Sequence, residues 1–180
     1  MIKILVACTA FCAAAAAFAQ SRGTVADWTA QPAHAWAAPA RMMLTDATRA
    51  GARIVAVGEH GVILLSDDDG KTWRQSRRVP VSATLSAVRF ADAQHGWAVG
   101  QWGVILATAD GGETWEKQRI DTSVDQPLFS VIFTSARDGI AVGLWSLMLV
   151  THDGGKTWNK QTLPKPPSGG KADRNLYHIF

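Results

Sequence analysis

Cysteine is almost missing from this sequence, and its two copies, Cys8 and Cys12, both fall within the first twenty residues. That opening, MIKILVACTAFCAAAAAFAQ, carries one positive charge at Lys3 and an apolar run from Ile4 to Phe18. A small-x-small pattern, Ala17-Phe18-Ala19, precedes Gln20. The stretch reads as a secretory signal over residues 1–19, too short for a membrane span and ending in a cleavage pattern. Leu5-Val6-Ala7-Cys8 resembles a lipobox. It would leave only four apolar residues ahead of the cysteine, so a lipoprotein anchor is disfavoured. A mature chain without cysteine has no disulfide, no thiolate metal ligand and no cysteine nucleophile. An exported domain of that kind must hold itself together by burial and hydrogen bonds.

Other shortages narrow the function. The chain of 180 residues has a net charge of +3, or +2 once Lys3 is lost, and no Lys/Arg block longer than Arg77-Arg78. Nucleic acid is therefore a poor partner for it. The five histidines, at 34, 60, 95, 152 and 178, do not pair at metal-ligand spacing. There is no Gly-x-Ser-x-Gly and no phosphate loop. Tyrosine occurs once, as Tyr177, and glutamate only at 59, 113 and 116. The sequence calls for no cofactor and no metal.

What the sequence does have is repetition. SDDDGKTW (66–73) returns as TADGGETW (108–115) and as THDGGKTW (151–158), at spacings of 42 and 43 residues. The similarity runs upstream through VGEHGVILLS (57–66), VGQWGVILAT (99–108) and VGLWSLMLVT (142–151). Beyond that, LSAVRFADAQHGWAVG (85–100) matches LFSVIFTSARDGIAVG (128–143), with MLTDATRAGARIVAVG (43–58) as a looser first copy. Each unit has short β-branched and aromatic runs bounded by Gly, Asp and Ser, the pattern of strands rather than helices. In the second unit the runs predict strands over 85–90, 97–100, 104–107 and 115–120. Four strands in 40–45 residues is the size of one β-propeller blade. The chain therefore reads as all-β, with four-stranded antiparallel blades over about 43–79, 80–122 and 123–163.

The octet itself has the pattern Ser/Thr-x-Asp-x-Gly-x-Thr-Trp. Its fixed positions are Ser66, Asp68, Gly70, Thr72 and Trp73; Thr108, Asp110, Gly112, Thr114 and Trp115; and Thr151, Asp153, Gly155, Thr157 and Trp158. A hairpin this tight strands backbone N–H groups. An Asp carboxylate can accept from several of them, a hydroxyl can serve more, and Gly takes a positive φ. The Trp covers the turn and can donate its indole N–H. This is a structural staple. A calcium site would need a cage of oxygens, whereas each octet offers one carboxylate beside a bulky ring.

After the third octet, NKQTLPKPPSGGKADRN (159–175) reads as an exposed connection, and LYHIF (176–180) resembles the start of another first strand, compare Leu128 to Ile132. Propellers close with four to eight blades. Three blades and a stub at 175–180 predict an open arc, so the sequence reads as a truncated ring. Closure by self-association through open blade edges is the alternative. Residues 20–42, with Trp28, Pro32, Trp36 and Pro39, read as a segment that could add an outer, blade-closing strand.

VG-x-x-G-x-[IL]-L-x-[ST], the octet, which resembles the Asp-box or BNR repeat, and the preceding [LF]-x-x-V-x-F strand together resemble the photosystem II stability and assembly factor family. The match covers about 43–180. The resemblance implies an exported, non-enzymatic propeller that chaperones or scaffolds a membrane or envelope complex through a protein partner, with no membrane span of its own after cleavage. Sialidases share the repeat and supply the rival reading, a glycosidase or glycan-binding propeller. Their chemistry needs an arginine triad, a Tyr nucleophile with a Glu partner and an Asp acid/base. Tyr177 lies in the stub, Glu113 inside an octet, and no Arg-Ile-Pro precedes the repeats.

Two groups are candidates for partner binding. His60, Trp102 and Trp145 share one repeat position, in the turn between second and third strands, and stacked blades would set them in an arc on one face. The alternative is that they pack between blades. Arg74, Arg77 and Arg78 lie on or after a fourth strand. They either guard that edge against pairing or form a basic patch for an acidic partner.

Overall fold

The computed structural model describes residues 29–164 and 174–180. The segment read as a signal over 1–19, both cysteines and Trp28 lie outside the described residues, as does most of the Pro/Gly connection. The remainder is all-β. Three antiparallel four-stranded sheets follow one another along the chain, each in the order of its sequence. Blade 1 is β1 (Leu44–Ala50), β2 (Arg53–Gly58), β3 (Ile63–Ser66) and β4 (Arg74–Gln75). Blade 2 is β5 (Leu85–Phe90), β6 (Gly96–Gly100), β7 (Ile105–Thr108) and β8 (Glu116–Arg119). Blade 3 is β9 (Leu128–Phe133), β10 (Gly139–Gly143), β11 (Met148–Thr151) and β12 (Asn159–Lys160). First strands of successive blades pack side by side, β1 on β5 and β5 on β9, so the blades fan out from their first strands.

In the second unit the expected strands appear with three shifted by about a residue. β7 begins at Ile105 because the Val104 N–H is already used, bonding Gln101 O inside the turn. β8 begins at Glu116 because the Trp115 N–H leaves its own sheet for Arg78 O of blade 1. The first unit departs further. Its opening hairpin turns through Gly51 and Ala52, Ala50 pairing with Arg53, whereas Phe90 pairs with Gly96 in blade 2. Leu44, Leu85 and Leu128 thus become the equivalent positions, paired with Gly58, Gly100 and Gly143. Each pairing carries the same irregularity one step further on.

Those three glycines explain the invariant "VG". Their φ values are extended, so conformational freedom is not the reason. A Cβ there would lie 2.1, 2.1 and 2.0 Å from the carbonyl oxygens of Met43, Thr84 and Pro127. The same carbonyls accept the N–H of the next residue, Glu59, Gln101 and Leu144. A side chain would break the clasp that ties the second strand to the entry of its blade.

The core lies between blades, because each sheet is apolar on both faces. Val55, Val57, Ile63 and Leu65 of blade 1 pack against Ala98, Val104, Leu106 and Trp115 of blade 2. Trp97, Val99 and Ile105 of blade 2 pack against Val131, Ala141, Leu147 and Leu149 of blade 3. Residues 29–42 form no strand; they lie against blade 1, with the Ala33 N–H on Val79 O and Trp36 and His34 tied to the Gln75 side chain.

The last five residues, expected to begin another first strand, form no strand but lie alongside β9. The Ile179 N–H donates to Ser130 Oγ at 3.3 Å, Leu176 N–H to Gly143 O at 3.0 Å, and Tyr177 stacks on Phe129. Between blades 1 and 2 the same positions hold an equivalent bond, Val88 N–H to Asp46 Oδ2 at 3.0 Å.

Candidate functional site

The propeller presents two faces with different chemistry. One carries the octets. In each, the Asp Oδ1 accepts the backbone N–H of the Thr four residues on, at 2.8 to 2.9 Å, and Oδ2 accepts that Thr hydroxyl at 2.6 to 2.7 Å. The first hydroxyl, on Ser66, Thr108 or Thr151, donates to the Asp and accepts the N–H of Gly70, Gly112 or Gly155. Those glycines have φ of 84 to 89°, where a side chain is strained. The carboxylates are held ionised. Asp68 sits below its ordinary value because the Thr72 hydroxyl and N–H bond it. Asp153 is lowered to about 2 by the Thr157 N–H and hydroxyl. Burial pushes Asp110 up, but the Thr114 and Thr108 bonds outweigh it.

Trp73 and Trp115 close their octets by donating to Gly70 O and Gly112 O, both at 3.0 Å. Trp158 differs, donating instead to Gln118 Oε1 of the neighbouring blade at 3.4 Å. The fixed Ser/Thr, Asp and Thr side chains of each octet are thus turned inward on their own corner. Among the described residues no group of three or more His, Cys, Asp and Glu is placed to hold a metal ion.

The opposite face carries the blade-to-blade connections and the turns between second and third strands. His60, Trp102 and Trp145 occupy equivalent places in single-turn 3-10 segments, with φ of 53, 58 and 51°. Bulky residues rarely adopt this left-handed conformation. The rings meet different surroundings. Trp102 is half-buried and packs on the core between blades 1 and 2, whereas Trp145 is 51% exposed and His60 is exposed. Trp36 joins them: its ring lies 6.0 Å from His60 and edge-on to His34 at 5.0 Å. A cavity of about 260 Å³ opens between His60 and Trp102, walled by Ser82, Ala83, Thr84 and Gln101. Trp36 could not be placed in this row without the structure, since the contact depends on how residues 29–42 fold back over blade 1.

The three arginines do not form a free patch. Arg74 reaches across the seam to Glu113 in the second octet, Nη1 to Oε2 at 2.9 Å with a second, shorter bond, and also touches Asp67. Arg53 grips both oxygens of Asp67 and lies 3.0 Å from Glu113; Arg77 adds a contact at 3.3 Å. Hydrogen bonds from Arg74 and the guanidinium charges around it hold Glu113 below the ordinary carboxylate range. Arg78 is largely exposed, 4.0 Å from Glu116. Glu113 as the hub was not visible in the sequence, where it occupied a variable octet position.

Architecture and repeat together define a β-propeller of BNR-type blades. The family model for photosynthesis system II assembly factor YCF48 matches residues 76–171, more than half of the chain, and the chain belongs to that family. Two solved structures share the fold. One is YCF48 bound to a D1 peptide, 21% identical, with a TM-score of 0.60 over 71% of this chain and 46% of that one. The other is YCF48 from Cyanidioschyzon merolae, 23% identical, with a TM-score of 0.56 over 66% of this chain and 39% of that one. This chain thus spans less than half the length of either relative. No curated protein matches it.

Proposed function

We infer that this protein is an exported, non-enzymatic propeller that supports assembly of a membrane or envelope complex by holding a protein partner. The single observation that carries the reading is membership of the YCF48 family. The relative solved with a D1 peptide adds that a propeller of this fold can hold a polypeptide. The aromatic row at His60, Trp102 and Trp145 offers the partner-binding surface, and the Arg119 guanidinium, which donates to Gly103 O at 2.8 Å, lies beside it; the exposed parts of Arg77 and Arg78 offer a separate cationic surface. An exported location rests on the signal pattern over 1–19, and among the described residues no helix is long and apolar enough to cross a membrane.

Deleting the gene in its host and resolving membrane complexes on native gels tests this. The expected result is loss of one assembled complex and build-up of an unassembled subunit, both restored by the wild-type gene. An unchanged pattern, together with turnover of fluorogenic sialosides by the purified full chain, would replace this reading with the glycosidase one.

A further inference from the structure

We propose that the cavity between His60 and Trp102 is an anchor pocket for one large apolar side chain of the partner, whose extended backbone runs along the arc toward Trp36 on one side and Trp145 on the other. The proposal rests on the protein-binding reading above and deepens it by naming what is bound.

The backbone argues first. The turn needs a left-handed residue at positions 60, 102 and 145, and glycine or asparagine would take that conformation more easily than a bulky ring. Blades 2 and 3 nonetheless place a Trp there, and blade 1 a His, which enters this region more readily than Trp does. Packing accounts for Trp102, which touches the core, but not for Trp145, which is half exposed. Strained residues of this kind collect where a surface is used. Tryptophan is also the side chain most enriched where binding energy concentrates.

Size and wall chemistry then select the occupant. A space of about 260 Å³ is smaller than pockets that take whole drug-sized ligands, which span roughly 300–1,000 Å³; it suits one side chain. Its walls hold no carboxylate, lysine or arginine. A charged anchor would lose its water and find no counter-ion. A sugar would need convergent donors and acceptors, but the Gln101 carbonyl oxygen already accepts the Thr84 N–H at 3.3 Å. A Leu, Met or Phe side chain asks nothing of these walls but contact with two rings.

The test is an NMR titration of the ¹⁵N-labelled full chain with capped Gly/Ser heptapeptides carrying one guest residue, Phe, Leu, Lys or Asp, and with chitotriose. The expected result is movement of the Trp102 indole and of the His60, Ala83 and Thr84 amides by the Phe and Leu peptides only. Filling the cavity with Ser82→Leu should abolish the response. His60→Gly should weaken it at least fivefold while the melting temperature stays level or rises, which a purely structural ring would not produce. Equal responses to Phe and Asp guests, or shifts confined to other residues, overturn the pocket while leaving peptide binding standing. Shifts with chitotriose alone overturn it in favour of a glycan site. No response to any peptide overturns the pocket, and the protein-binding reading then stands or falls on the native-gel experiment alone.

Discussion

The two seams between blades share one backbone plan but are held on the octet face by different chemistry. Across the first, Arg53, Arg74 and Arg77 converge on Glu113, and Arg53 and Arg74 also hold Asp67. Across the second, the equivalent residues are His95 for Arg53, Glu116 for Arg74, Lys156 for Glu113 and Ala109 for Asp67. Among the described residues no ion pair joins the blades there, and an open groove of about 450 Å³ remains, bordered by His95, Glu116 and Lys156. The second seam is tied by aromatics and amides instead. Trp97 stacks flat on Phe133 with centroids 3.4 Å apart, and Gln118 donates to Gly154 O at 3.0 Å. A repeat fixes where blades meet; what fastens them is chosen at the variable positions.

The largest expected effect breaks the aromatic seam. Trp97 is 3% exposed, so Trp97→Ala should destabilise the fold by about 3–5 kcal/mol through lost burial and a residual cavity. Urea unfolding measures this; a loss under about 1 kcal/mol would mean the stack contributes little beyond its neighbours.

The next effect isolates the charged seam. Glu113 is 17% exposed on its side chain, and Glu113→Gln leaves partly buried guanidinium groups without their shared carboxylate. A loss of about 1–2 kcal/mol is expected, discounted for solvent screening, and shrinking as salt rises. Glu116→Gln, whose carboxylate is 84% exposed, should change stability by less than about 0.5 kcal/mol. The pH dependence has a definite sign. The folded Glu113 carboxyl titrates below its ordinary value of 4.5. In that window the unfolded chain binds the proton more readily, so the contribution is complete above the unfolded value and is lost as pH falls through the folded one. The gap between wild type and Glu113→Gln should therefore stay level down to about pH 4.5 and close below it. A gap that widens on acidification would contradict the ion-pair account.

The smallest effect sharpens the comparison by transplanting one seam onto the other. Glu116→Arg with Lys156→Glu recreates the Arg74–Glu113 pairing across blades 2 and 3. A double-mutant cycle should give a favourable coupling of about 0.5–1 kcal/mol that fades in salt. No coupling would show that Arg53 and Asp67 are needed to position the pair.

What could be read from the sequence follows the range of the interactions. The Ser/Thr–Asp–Thr bonds of each octet close within seven residues, so composition and spacing displayed its chemistry. The β-branched and aromatic runs likewise marked the strands, whereas the clasp at the "VG" glycines needed the approach of Met43, Thr84 and Pro127 to be seen. The network at Glu113 could not be read, because its partners lie 36 to 60 residues away at positions the repeat leaves free. Trp36 was hidden for the same reason, and the shortened first hairpin because an ungapped alignment of 43–58 hides a missing turn residue. The arginines were identified as a group, but their placement across a seam needed the packing of blade on blade.

The bond from Ile179 to Ser130 repeats the bond from Val88 to Asp46 with a different acceptor. Asp46 of β1 and Ser130 of β9 each offer a side-chain oxygen to the segment packed beside them, whereas Ala87, at the same position of β5, has none to offer. The inner ring is therefore latched by a side chain at its first seam and again at the C-terminal segment, while β5 and β9 between them meet without that latch.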